Sequence, residues 1–145
     1  MNLQDTKRIA PWLLVTLLAC EPSGPPLTAT DIVAVAPLPG RSISAAYLTL
    51  HNESREAITL GRVSSPQFAS VEIHESLLTD GVIRMRRIDS LVIEAMTSAT
   101  FESGRKHLML TDPVPGLLVG NSITIQFEYD GGGILIVSTP LVNRE

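Results

Sequence analysis

Val71-Glu72-Ile73-His74-Glu75-Ser76-Leu77-Leu78-Thr79-Asp80-Gly81-Val82-Ile83-Arg84-Met85-Arg86-Arg87-Ile88 decides how the rest of this chain is read. Asp80-Gly81 between two apolar runs is a strong signal for a two-residue β-hairpin turn, because both central positions of the favoured turn need positive φ. A turn centred there pairs Thr79 with Val82 and, counting outward, Ser76 with Met85. Directly opposed residues share a face, and so do residues two apart on one strand. Met85 therefore becomes a diagonal cross-strand neighbour of His74, at a Cβ separation of roughly 7 Å or less.

The same pattern extends in both directions. Short apolar or alternating runs cover residues 32–36, 45–51, 57–63, 69–74, 82–88, 98–101, 106–110, 123–129 and 134–138. Turn residues divide them: Pro37 to Gly40, Asn52-Glu53-Ser54, Ser64-Ser65-Pro66, Asp112-Pro113 to Gly116, and Asp130-Gly131-Gly132-Gly133. Strands at this spacing predict an all-β sandwich or barrel, and no run has the length or period of a long helix.

Near the end of the seventh run, His107 and Met109 stand two apart, so a strand projects both from one face. Ten residues separate His74 from Met85, twenty-one separate Met85 from His107, and one separates His107 from Met109. Two imidazoles and two thioethers read as a metal site, and soft, neutral thioether sulfur suits Cu(I) far better than Zn, Mg or Ca. Each half of the site follows from local geometry, whereas their meeting depends on the tertiary fold. Since an imidazole must be neutral to bind, affinity is expected to fall as pH drops through about 6.5. His51 and Met96 fall outside the pattern and read as structural residues.

Composition bounds the alternatives. The 145 residues, 44% apolar and 18% charged, suffice for one domain with a core. A formal charge of −4 without Lys/Arg clusters argues against nucleic acid as a partner. Cys20 is the single cysteine, which excludes an intramolecular disulfide and, within the folded domain, any Cys-containing zinc or blue-copper site. Lys7 and Arg8 precede a short apolar run, and Leu17-Leu18-Ala19-Cys20 has the form of a bacterial lipobox. The domain organisation expected is a lipoprotein-type signal peptide over 1–19, a Pro/Gly-rich tether over 20–30 and a copper-binding β-sandwich over 31–145. Acylation of Cys20 would hold the domain at a membrane surface, outside the cytoplasm.

Val71 to Glu75, Met85-Arg86 and His107-Leu108-Met109-Leu110 together resemble the periplasmic copper chaperones of the PCuAC family, whose signature is H-x10-M-x21-H-x-M. Ala46-Tyr47-Leu48-Thr49-Leu50-His51-Asn52, Ser64-Ser65-Pro66 and Gly120-Asn121-Ser122 are similar to further segments of that family, so the resemblance spans roughly residues 34–142. A shuffled chain of this composition meets the four-residue pattern about twice in 100,000 trials, far below the usual false-positive rate of short motifs. The resemblance implies a cupredoxin-like Greek-key β-sandwich, Cu(I) as cargo on His74, Met85, His107 and Met109, a monomer, and delivery to the CuA centre of cytochrome c oxidase or to another copper chaperone. Thr111 to Leu118 departs from the Lys-rich loop common in the family, which bears on partner docking more than on the metal.

Two other readings are open. An electron-transfer cupredoxin needs a Cys thiolate beside two His, and the only Cys lies in the leader. A metal-free envelope lipoprotein with an adhesion or structural role predicts that Met85 and Met109 can become Leu without effect on binding. No GxSxG, HExxH or paired-carboxylate motif points to an enzyme. Arg84, Arg86 and Arg87 read as a solvated strand face or as a dock for an acidic partner; Glu75 is a candidate to orient His74, against which stands the rule that adjacent strand residues point to opposite faces.

Overall fold

The computed structural model describes residues 26–144, and nearly all of them lie in strands or the turns between strands. One sheet contains β1 (Leu27–Val35), β2 (Ile43–Asn52), β4 (Phe68–Thr79), β5 (Val82–Ile88), β7 (Ser98–Phe101) and β8 (Lys106–Pro113). The other contains β3 (Ile58–Ser64), β6 (Leu91–Ile93), β9 (Ser122–Tyr129) and β10 (Gly133–Val142). A short parallel pairing of β1 with β10 joins them at one rim, giving the order β5-β4-β8-β2-β1-β10-β9-β3-β6. The architecture is the expected cupredoxin-like β-sandwich. Among the described residues, no helix is long and apolar enough to cross a membrane.

Period-two alternation builds the core. Val71 and Ile73 of β4, Leu108 and Leu110 of β8, and Ala46, Leu48 and Leu50 of β2 point inward against Leu60, Ile123, Ile125 and Phe127 of the second sheet. Their strand neighbours face out, and on β4 and β8 those outward positions include the candidate ligands. Asn52, at the end of β2, is a buried polar group with every side-chain hydrogen bond made. Its amide nitrogen donates to the carbonyls of Glu56, Ile93 and Glu94 at 2.8, 2.9 and 3.1 Å, and its oxygen accepts from the Ser54 amide and hydroxyl at 2.9 and 2.7 Å. This side chain ties the β2–β3 loop to β6.

Several boundaries differ from the sequence reading: β4, β8 and β10 run on to Thr79, Pro113 and Val142, past the expected ends at 74, 110 and 138, so Asp112 and Pro113 are strand rather than turn. The sheet begins at Leu27 rather than Asp31, because residues 27–30 pair with Asn52 to Thr49 of β2 and Leu27 is fully buried, so the last four residues of the expected tether are strand. β6, three residues long, was absent from the expected strands: too short to show periodicity, it is fixed by its pairing with Ile58 to Leu60 of β3. The expected signal peptide and Cys20 lie outside the described residues.

The hairpin forms as its sequence dictates. Asp80 and Gly81 both have positive φ, at 53° and 76°, and the register pairs Thr79 with Val82 and Ser76 with Met85.

Asn52→Ala, which strands three backbone carbonyls and two donors, is expected to lower unfolding free energy by at least about 2 kcal/mol. Leu78→Ala, at an exposed position, should stay within about 0.5 kcal/mol of wild type, both variants being measured by urea titration.

Candidate metal centre

β4 lies between β5 and β8, and the two registers decide where the four donors go. His74 is directly opposite His107, Glu72 is opposite Met109, and Ser76 is opposite Met85. Opposed residues share a face, so His74, Met85, His107 and Met109 all project from the outer face of one sheet, on three adjacent strands. The two local half-sites therefore meet through the β4–β8 pairing, the step that local sequence could not supply.

The donors differ in depth. His107 is buried and the His74 side chain is 12% exposed, whereas Met85, on the edge strand β5, is 57% exposed. Met85, His107 and Met109 line one open cavity of about 250 Å³, together with Ser76, Tyr47 and Arg144. The His74 and His107 rings stand 6.1 Å apart between centroids, tilted by 51°. With metal–imidazole bonds of about 2.0–2.1 Å, two rings can share one ion at centroid separations up to roughly 6.5 Å.

Hydrogen bonding sets which ring nitrogens are free. His107 Nδ1 lies 3.0 Å from the Arg105 carbonyl, which can only accept, so Nδ1 carries the proton and Nε2 keeps its lone pair. His74 Nε2 lies 2.9 Å from a Glu72 carboxylate oxygen and carries the proton for the same reason. His74 Nδ1 is left buried and without any partner, the one such side-chain atom among the described residues. A buried, unsatisfied acceptor costs about 1–3 kcal/mol and calls for an explanation. A coordinated ion supplies one: the residues present two imidazole lone pairs and two thioethers. Among the described residues, no three His, Cys, Asp or Glu cluster as a harder metal would require.

The charged neighbours divide by strand parity. Glu75 has the parity of the core residues Val71 and Ile73 and sits just beyond the end of the core, on the face opposite the donors. There it pairs with Arg86 at 2.9 Å and Lys106 at 3.4 Å, and the hydrogen bond from Arg86 holds its carboxyl below the ordinary value of 4.5. The carboxylate that reaches His74 is Glu72, two residues earlier on the correct face. Arg87 bonds Glu72 at 2.6 Å and Asp89 at 2.9 Å, so two of the three hairpin arginines are committed internally. His51 is held between the Thr30 and Ser98 hydroxyls at 2.9 and 2.8 Å, on strands that carry no candidate ligand, and Met96 is an exposed turn residue.

Fold and site together define a class: a cupredoxin-like sandwich with two His and two Met on one outer face, three of them around one cavity and His74 beside it against His107. The chain belongs to the LpqE-like family, described as "Putative lipoprotein LpqE-like", whose model matches residues 27–141. An uncharacterized protein of Rickettsia prowazekii (strain Madrid E) is 32% identical over 103 residues, which cover 70% of this chain and 57% of that protein. Among solved structures, the copper-bound PCuAC domain from PmoF2 superposes with a TM-score of 0.68 at 19% identity, covering 83% of this chain and 95% of the other. The solution structure of CuI-DR1885 from Deinococcus radiodurans gives 0.63 at 25% identity, covering 81% and 77%.

Nitrogen-15 spectra of the metal-free protein at neutral pH are expected to show His107 with a protonated Nδ1 and a bare Nε2. A protonated Nε2 would contradict the bond to the Arg105 carbonyl.

Proposed function

We propose that this protein is an extracytoplasmic Cu(I) carrier that holds one ion with His74 Nδ1, His107 Nε2 and the sulfurs of Met85 and Met109. The observation that carries this reading is the β5-β4-β8 register, which gathers all four soft donors on one face, with an orphaned imidazole nitrogen among them. Similarity in fold to PCuAC domains, one of them solved with copper, supports it. Four neutral ligands leave the ion's single charge uncompensated, and their softness favours the monovalent d10 ion over Cu(II). The absence of thiolate suits an oxidising compartment, where a Cys pair could be lost to a disulfide.

The graded depth fits a carrier better than a permanent site. Two imidazoles anchor the ion, while exposed Met85 can yield its place to an incoming ligand of an acceptor. The acceptor indicated by the family resemblance is the CuA centre of cytochrome c oxidase. Acylation of Cys20, in keeping with the lipoprotein description of the family, would tether the carrier to the cell envelope and to membrane-bound acceptors.

Purified protein titrated with Cu(I) against a competing chelator is expected to take one tight equivalent per chain, with Zn(II) failing to displace it. His107→Ala and Met109→Leu should each abolish or strongly weaken uptake, and Met85→Leu should weaken it while leaving stability unchanged. Binding that survives the His107 and Met109 changes would move the site elsewhere, and no binding by wild type would favour the metal-free structural reading.

A fourth variant tests the register itself. One glycine inserted between Arg84 and Met85 sends Met85 to the opposite face. Uptake should then weaken at least as much as in Met85→Leu, whereas unchanged affinity would show that Met85 is not a ligand.

A further inference from the structure

Resting on the copper reading above, the geometry points to Glu72, clamped by Arg87, as a positioning residue that turns His74 Nδ1 toward the ion. His74 binds a metal more tightly when its tautomer and ring orientation are fixed. A neutral imidazole distributes its proton between two nitrogens, and only the nitrogen without the proton can bind a metal. Glu72 removes the choice: one carboxylate oxygen accepts from His74 Nε2 at 2.9 Å, which leaves Nδ1 bare.

The carboxylate is itself held from the far side. Its other oxygen accepts from Arg87 at 2.6 Å, and Arg87 is braced in turn by Asp89 at 2.9 Å. His74 and Arg87 are register partners across β4 and β5, so Glu72, His74 and Arg87 occupy one patch of the outer face. Glu75, the nearer acidic residue in sequence, points to the other face and is tied to Arg86 and Lys106.

A second consequence follows from where Glu72 stands. It is directly opposite Met109, close enough to the donors that a free carboxylate could compete as a hard ligand and draw in harder metals. Each of its oxygens is engaged, one by His74 and one by Arg87, which fixes the direction the carboxylate faces. The clamp thus presents the soft nitrogen and withholds the hard oxygen. Removing an outer acceptor of this kind typically costs 10–100-fold in metal affinity.

The test combines ring nitrogen-15 spectra of the metal-free full chain with Cu(I) competition titrations, on wild type, Glu72→Ala and Glu72→Gln. Wild type is expected to show His74 as a single tautomer with Nε2 protonated. In Glu72→Ala that tautomer gives way to a mixture, and Cu(I) affinity falls by about 10–100-fold. His107 ring signals should stay in place, which reports an intact fold. Glu72→Gln keeps an oxygen acceptor for Nε2 and should restore both the tautomer and most of the affinity. A Glu72→Ala protein that keeps the single tautomer, or binds Cu(I) as tightly as wild type, overturns the proposal. So does failure of Glu72→Gln to improve on Glu72→Ala. Should wild type take up no Cu(I), the copper reading falls and this role with it, while the metal-free spectra still show whether Glu72 orients the ring.

Discussion

The β4–β8 pairing of His74 with His107 is the constraint on which the rest of the structure depends. It is a matter of parity. Because side chains alternate along a strand, one register places Val71, Ile73, Leu108 and Leu110 in the core and simultaneously places Glu72, His74, His107 and Met109 outside. A slip of one residue would bury two imidazoles and expose the leucines, so hydrophobic burial enforces the geometry of the site. Burying those four apolar side chains is worth about 1.5–3 kcal/mol each, and that stabilisation is present whether or not an ion is bound. The site is therefore positioned by the core and needs no ion to assemble it.

The charged residues follow the same division. Glu72 and Glu75 are three apart in sequence and so leave opposite faces of β4, and each finds an arginine of β5 on its own side, Arg87 and Arg86. The acidic strand and the basic strand are stitched together on both surfaces of the hairpin. These are partly exposed pairs, individually worth little, but they occupy the positive charge that would otherwise mark β5 as a dock for an acidic partner. Arg84 is the hairpin arginine that makes no ion pair among the described residues.

Much of this was legible in the sequence because it is local. Asp80-Gly81 sets the turn, the turn sets the β4–β5 register, and the spacing of His107 and Met109 sets their shared face. The pairing of β4 with β8 joins residues more than thirty positions apart, and no local signal announces it. Family resemblance and the chemistry of the donors pointed there, and the strand order realises it. Glu72 is less conspicuous than Glu75 because it is one residue further from His74 in sequence, although it is the one on the same face. The period-two rule that united His107 with Met109, applied one step upstream of His74, would have found it. The start of β1 at Leu27 was hidden by Pro25 and Pro26, which gave the whole segment the look of a linker although Leu27 to Thr30 is rich in β-forming residues.

The donors also sit on strands of unequal stability. β8 is flanked on both sides, by β2 and β4, and its inward residues are in the core; β5 is an edge strand whose side chains are almost all exposed. Local opening follows the number of buried contacts, so β5 should separate from β4 at much lower free-energy cost than β8 does. Opening of that kind removes Met85 from the donors and Arg87 from Glu72, and leaves both imidazoles and Met109 on β4 and β8. On the copper reading, the ion then moves from four ligands to three without any disturbance of the core, and an acceptor's ligand meets a coordination gap on the solvent side. The edge position that lets β5 open makes it, on the copper reading, the strand on which a releasable ligand belongs, and the arginine pairs on its two faces set how readily it lets go.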